Sequence, residues 1–392
     1  MNSSVADKFL STPALFHGKK ILVAGDIALD RTFFCDPAPE GRHAVHAGES
    51  ILDVRPRGDD FGMIGAAYNA CLLSADVGAE SVLAAVSGDD PEAARLAELF
   101  AVAGTKAKQV RLPGVQTVTR LRFLVNDPAT GRFRLLLRVD KDPDVALSYT
   151  MAESELCSPA FLDWWEEEAE SSDAILFSDT GKGFLSRRLL VALDERTRRA
   201  SARRVSGGKK PVAIVVDPKR EWEKFAGLKV NVFKPNDVEA SGAVQMPRQD
   251  WGVDANLKSL AVRIAQKYGG LFPQIVVTLG EHGAALISTA GQRGMLFHFP
   301  ALRARDPETG IAMHCGDMFA AALALSLTVH DDAASAIPFA NYVASLQVSK
   351  PIGGKISGSD LTHPLNVRHF REFSRPPRHL GEFTLGPETG KI

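Results

Sequence analysis

Short apolar runs recur along the chain without polar alternation. They are ILVAGD (Ile21–Asp26), SVLAAV (Ser81–Val86), AILFSD (Ala174–Asp179), VAIVVD (Val212–Asp217), VNVFKP (Val230–Pro235) and QIVVTLG (Gln274–Gly280). Runs rich in Val and Ile suit strands that are covered on both faces. Between them lie helical patterns at 91–103, 186–200 and 256–268. This alternation predicts a doubly wound α/β sheet. Ligands in such folds bind beyond the carboxyl ends of the strands, so the Asp, Gly and Lys-Pro residues that close several runs become candidates.

Two segments break the alternation. Residues 31–58 carry Phe33, Phe34, Ile51, Leu52 and Val54 around a turn rich in Pro, Gly and His. Residues 115–140 alternate with period two on either side of Pro128-Ala-Thr-Gly131, a β-hairpin pattern. Together they predict a small accessory sheet projecting from the main domain; the alternative is a pair of extra edge strands on the main sheet. The ends, 1–19 and 366–392, are polar and rich in Pro and Gly. They are expected to be loosely ordered or wrapped over the surface of a domain spanning 20–365.

Charge removes some functions. The 392 residues hold 46 Lys+Arg against 47 Asp+Glu, a net charge of −1, without the basic excess that phosphate backbones demand. The apolar-rich stretch from Phe319 to Val329 is interrupted by Ser326 and Thr328 and falls short of the ~20 residues that span a bilayer. The first residues lack the basic start and apolar run of a signal peptide. Four cysteines (Cys35, Cys71, Cys157, Cys315) form no C-x-x-C, which fits reduced thiols. A cytoplasmic protein without nucleic-acid or membrane partners is expected.

The most informative stretch is His314-Cys315-Gly316-Asp317, directly before a strongly apolar helical pattern. Backbone N–H groups at a helix start bind anions. An Asp at that point can take a proton from a hydroxyl while the amides hold phosphate, which is what phosphoryl transfer requires. Alone, Asp317 could equally be a simple N-cap. Other stretches accompany it. The segment Ile64–Asn69 contains Gly65 and small residues that permit close approach to the backbone. Lys234-Pro-Asn-Asp-Val-Glu239 places Asn236 and Glu239 three residues apart, on one helical face. Thr278–Gly283 reads as a strand followed by a Gly turn. Neither G-x-x-x-x-G-K-[ST] nor H-E-x-x-H occurs in the sequence.

Taken in order, these pieces resemble the ribokinase (PfkB) family of sugar kinases, from about Lys20 to Leu365. The resemblance implies a three-layer α/β/α domain with a mostly parallel central sheet. It also implies a β-lid from 31–58 and 115–140 that closes the sugar site and forms a homodimer contact. It makes ATP the phosphoryl donor, with Mg2+ on its phosphates. It assigns Asp30 (Asp26 lies nearby), Gly65 and Asn69 to the sugar. Asn236 and Glu239 would order the magnesium–phosphate water shell, and Thr278, Gly280, Gly283 and Asn341 would bind the nucleotide. Cys315 and Gly316 would form the anion hole beside Asp317 as base. Within the family, Ser178–Gly183, Val216–Lys219 and Leu137–Asp140 are similar to the bacterial heptose-7-phosphate kinases of lipopolysaccharide precursor synthesis. That likeness makes Arg138, Lys182 and Lys219 candidates for a phosphate already on the acceptor.

The chain departs from the family pattern D-x-x-G-A-G-D, reading Ile311-Ala-Met-His-Cys-Gly-Asp317. Ile311 removes a ligand of a monovalent-cation site. His314 replaces a glycine; a left-handed backbone there would cost about 1–2 kcal/mol, although His is among the more tolerant types. On strain alone, His314→Gly is expected to keep or raise activity. Two readings stand: a working sugar or sugar-phosphate kinase, or a regulatory nucleotide- or sugar-binding protein of the same fold with degraded chemistry.

Overall fold

The six apolar runs become neighbouring strands because each can bury both of its faces. The computed structural model describes residues 12–44, 50–64, 66–143, 145–303, 314–350 and 356–385. Its strands are β1 (Lys20–Gly25), β2 (Ala28–Ala44), β3 (Ser50–Ile64), β4 (Glu80–Gly88), β5 (Lys106–Leu112), β6 (Thr119–Asp127) and β7 (Arg132–Lys141). They continue as β8 (Ala174–Ser178), β9 (Ala213–Asp217), β10 (Val232–Phe233), β11 (Gln274–Thr278), β12 (Ala284–Ala290), β13 (Arg293–Phe299) and β14 (Arg378–Thr384). Ten of them form the main sheet, in the order β14-β13-β12-β11-β10-β9-β8-β1-β4-β5. Strands from β11 to β5 run parallel, and β12, β13 and β14 are added antiparallel.

Helices cover both faces of this sheet. In β1, Ile21 and Val23 join the apolar core beneath the helices at 66–76, 315–326 and 333–348. Their neighbours Leu22 and Ala24 join the opposite core, with the helices at 159–171, 187–206 and 254–268. This is the expected three-layer arrangement. The chain enters at β1, builds outward through β4 and β5, then returns to β8 on the other side. The order therefore reverses between β1 and β8, where a crevice opens at the strand ends.

The two interrupting segments form a separate four-stranded sheet in the order β3-β2-β6-β7, rather than extending an edge of the main sheet. Phe33 stacks on Phe123 with ring centroids 4.8 Å apart, tying β2 to β6. Asp127 closes the β6–β7 turn by accepting from Ala129 N and Thr130 Oγ1, both at 3.0 Å.

The described parts of the terminal segments are wrapped onto the domain rather than loosely ordered. Phe16 is fully buried against Phe339, ring to ring at 5.2 Å. Residues 364–373 form a helix whose Phe370 packs on Tyr342 at 5.0 Å, and β14 pairs along β13. These residues are polar on one side only, and their few aromatic groups are enough to anchor them.

One ion cluster locks the outer layer. Glu166, on the helix at 159–171, accepts from Arg196, Arg199 and Arg203 of the next helix. Burial works to raise the Glu166 pKa, but bonds from the three guanidinium groups outweigh it and bring it down to about 2. The stability this contributes is complete above the unfolded value near 4.5 and disappears as pH falls toward 2. Glu166→Gln is expected to cost about 1–3 kcal/mol at pH 7. In urea titrations the gap between variant and wild type should shrink steadily from pH 5 to pH 3; a constant gap would show that the carboxylate charge is not what stabilises.

Candidate active site

The helix at 315–326 begins over the ends of buried strands. Its N-cap is His314, with φ 62° and ψ 7°, a left-handed backbone. The His314 side chain does not cap the helix. Its Nδ1 lies 3.2 Å from Asp317 Oδ2 in the first turn, and its Nε2 faces Asp30 Oδ2 at 3.9 Å. The imidazole thus stands between two carboxylates that come from β2 and from the helix start. Burial, with the Asp317 charge adding to it, pushes the Cys315 thiol up to about 12, so it stays protonated.

Below this helix start lies a buried cation. Lys234, 2% exposed, pairs with Asp217 at the end of β9 (2.9 Å) and donates to the Gly316 carbonyl at 3.5 Å. Burial pushes the Asp217 carboxyl up to about 7; Lys234 opposes the shift, while Asp317 and Glu239 add to it. Burial alone would lower Lys234, but the surrounding carboxylates, Asp217 first, raise it.

Asn236 caps the helix at 237–243 in a reciprocal box. Its side chain accepts from Glu239 N, and Glu239 Oε2 accepts from Asn236 N, both at 2.8 Å. The second Glu239 oxygen holds Lys219 at 3.0 Å. Thr278 bridges to Asn236 across the strand ends, and Gly280–His282 follows as one tight turn. Gly283, at φ 93°, leaves no room for a side chain: an added Cβ would sit 2.1 Å from the Phe299 carbonyl. Asn341 donates toward Phe299 O and Pro300 O at 3.5 and 3.4 Å. Thr278, Gly280, Gly283, Asn236, Glu239 and Asn341 are therefore linked through neighbouring backbone.

Beyond the end of β1, Asp26 is consumed structurally. Its oxygens accept from the N–H groups of Thr180 (2.8 Å), Lys182 (2.9 Å) and Phe184 (2.9 Å), fixing the loop after β8. That loop delivers Lys182 to an ion pair with Asp142, just beyond β7. Asn69 lies buried on the helix at 66–76. Gly65 and residues 311–313 lie outside the described residues.

The small sheet aligns a polar face with this crevice. Strand register sets Asp30, Arg120 and Asp140 in one row and Thr32, Arg122 and Arg138 in the next. Arg122 Nε reaches both Asp30 oxygens, at 2.9 and 3.1 Å, with both side chains 9% exposed. Arg138 holds Asp140 through two bonds of 2.8 and 2.7 Å. Arg120 Nε is buried without a hydrogen-bond partner, 3.8 Å from Asp140. Burial, followed by repulsion from Arg138, lowers the Arg120 pKa.

Arg138 and Lys182 thus lie with the sheet's polar face, whereas Lys219 stands apart, on Glu239. Proximity of Lys219 to β9 in sequence says nothing about which side of the crevice its long chain follows. Sequence reasoning missed Arg120, Arg122 and Asp142. The alternation in TRLRFL shows the two arginines on one face, but it does not show what that face meets.

Without Lys234 the Asp217 carboxyl is pushed up further and must take a proton or remain an unpaired buried anion, so Lys234→Met should cost about 3–5 kcal/mol at pH 8. The cost should be smaller at pH 5.5, where protonation of Asp217 removes that charge, and adding Asp217→Asn should restore most of the loss at pH 8. Equal urea midpoints for Lys234→Met and wild type at pH 8 would rule this out.

Known proteins share this fold. A ribokinase from Arabidopsis thaliana, solved with ribose and ATP, matches 91% of this chain and 100% of its own, with a TM-score of 0.62 at 16% identity. Phosphofructokinase-2 of Escherichia coli, solved with potassium, gives a TM-score of 0.62 at 15% identity with the same coverage. In sequence, the bifunctional protein HldE of Methylococcus capsulatus is 28% identical over 344 residues, covering 87% of this chain and 63% of that protein. The HldE of Halorhodospira halophila is 30% identical over 343 residues, 86% of this chain and 62% of its own. The chain therefore spans a little under two thirds of the length of these curated relatives. The sequence profile of the pfkB family carbohydrate kinases matches residues 152–356, just over half of the chain. The chain belongs to the pfkB family of carbohydrate kinases.

Proposed function

We propose that this protein transfers the γ-phosphoryl group of ATP to a hydroxyl of a sugar that already carries a phosphate, with heptose 7-phosphates the leading acceptor class. The observation that carries the reading is the meeting of Asp30, His314 and Asp317 at the start of the helix at 315–326. Asp30, held rigid by Arg122, would orient the acceptor. Asp317 would supply the carboxylate that draws off its proton. The Cys315 and Gly316 amides would face the charge that develops on the phosphoryl group. Thr278, Gly280, Gly283 and Asn341 would line the nucleotide side.

The oxygen donors of Asn236 and Glu239 fit a hard cation, and two are too few to hold one by themselves. Mg2+ would therefore sit mainly on the phosphates and water. When bound, it would neutralise phosphate charge. Support for a phosphorylated acceptor comes from Arg120, Arg138 and Lys182, and from the segments similar to heptose-phosphate kinases. Arg120, part-buried and with an unmet donor at its enclosed Nε, is the group best placed to gain from an incoming anion.

A panel of sugars and sugar phosphates, assayed for ADP release, tests the reading. Asp317→Asn should lower kcat by about 100-fold or more. Arg120→Ala should raise KM for a phosphorylated acceptor about 10- to 100-fold and leave KM for ATP unchanged. Full turnover by Asp317→Asn would remove the assigned base.

The opposite face of the small sheet exposes Leu137 and Val139, which supports a homodimer formed through the lid. A solution mass of twice the 42.2 kDa chain is expected, and a single-chain mass at micromolar concentration would overturn this.

A further inference from the structure

We propose that His314 and Asp317 act as one proton-taking unit, in which the imidazole Nε2 contacts the acceptor hydroxyl and Asp317 holds the ring from behind. This rests on the kinase reading and alters the part that Asp317 plays in it.

The geometry is specific. His314 occupies a left-handed position (φ 62°), where a side chain carries a conformational cost. That backbone turns the ring back over the first helical turn, toward Asp317 Oδ2, 3.2 Å from Nδ1. A carboxylate accepts and does not donate when ionised, so the ring proton belongs on Nδ1 and the lone pair on Nε2. Nε2 then points at Asp30 Oδ2 across 3.9 Å. This gap is too long for a direct hydrogen bond. It leaves Nε2 open to accept from one acceptor hydroxyl about 2.8 Å away, with Asp30 accepting from a neighbouring hydroxyl of the same molecule. Asp30 stays in position because both of its oxygens hold Arg122 at 2.9 and 3.1 Å. The half-buried ring, 23% exposed, is open enough for a ligand to reach.

The step balances. The acceptor O–H bond breaks and its proton moves to Nε2. The oxygen forms a bond to the γ-phosphorus, and the bond from that phosphorus to the bridging oxygen breaks, its electron pair leaving with ADP. The imidazolium formed lies between the carboxylates of Asp317 and Asp30, and the proton then passes to solvent.

The test uses the full chain. Long-range proton–nitrogen NMR on histidine-labelled protein should show the His314 ring, identified by its loss in His314→Asn, with its proton on Nδ1. Asp317→Ala should abolish that preference. A ring protonated on Nε2 in the wild type would overturn the pairing, whatever the turnover. In kinetics with the best acceptor, His314→Gly and His314→Asn should each lose about 100-fold in kcat, with nucleotide KM unchanged. Both substitutes tolerate the left-handed backbone, so misfolding does not obscure the comparison. Added imidazole should restore part of the rate to His314→Gly and none to Asp317→Ala. Undiminished turnover by His314→Gly would overturn this inference while leaving the kinase reading intact. Absence of transfer by the wild type to any acceptor would instead overturn the kinase reading, and the proton step with it.

Discussion

A lysine amine enclosed at the carboxyl end of the central strands is the constraint around which the site is built. Lys234 cannot shed its charge into water, so it needs an anion and a carbonyl dipole, and it finds Asp217 and Gly316. That requirement ties β9, β10 and the helix at 315–326 to one point. Negative charge is costly there unless the lysine is present, and on the proposed reading a transferring phosphoryl group would bring more of it. On that reading the buried ammonium would offset the added charge too, while its carboxylate partner keeps the fold from depending on a ligand.

The small sheet answers the same problem from above. Its inward face alternates arginines with aspartates, so each guanidinium has a carboxylate neighbour except for the unmet donor of Arg120. A face of this kind is fixed in place by its internal pairs before any ligand arrives. On the proposed reading, orientation would already be set when the acceptor enters, which lowers the entropic cost of binding. Rigid Asp30 is the clearest case, since Arg122 leaves it little freedom.

Much of this was legible in the chain because some signals are local. Uniform apolar runs announced the central strands, since burial on both faces leaves no place for polar residues. Asn236 and Glu239 stood out through their spacing, and Asp317 through its position before an apolar helix. Other features depend on contacts that the chain order conceals. Asp30 and Arg122 are 92 residues apart, and only the parallel register of β2 with β6 brings them together. His314 was visible as a misfit, but its meaning depends on where a left-handed residue aims its ring. Strand β14, RHLGEFT, has neither an apolar run nor clean alternation, because it packs only at the margin.

That marginal strand has a consequence for how the molecule avoids its own kind. Without β14, strand β13 would present an open row of amide and carbonyl groups along Arg293–Phe299, beside apolar Met295 and Leu296. Such a row templates pairing with another chain. β14 covers it and becomes the border in its place, carrying Arg378, His379 and Glu382, a kink at Gly381 (φ 136°) and a register shift opposite Leu296 and Phe297. The opposite border, β5, is studded with Lys106, Lys108 and Arg111. Both margins of the ten-stranded sheet are thus charged or irregular. The last described strand shields an adhesive edge: cutting the chain after residue 377 would remove β14 and uncover β13.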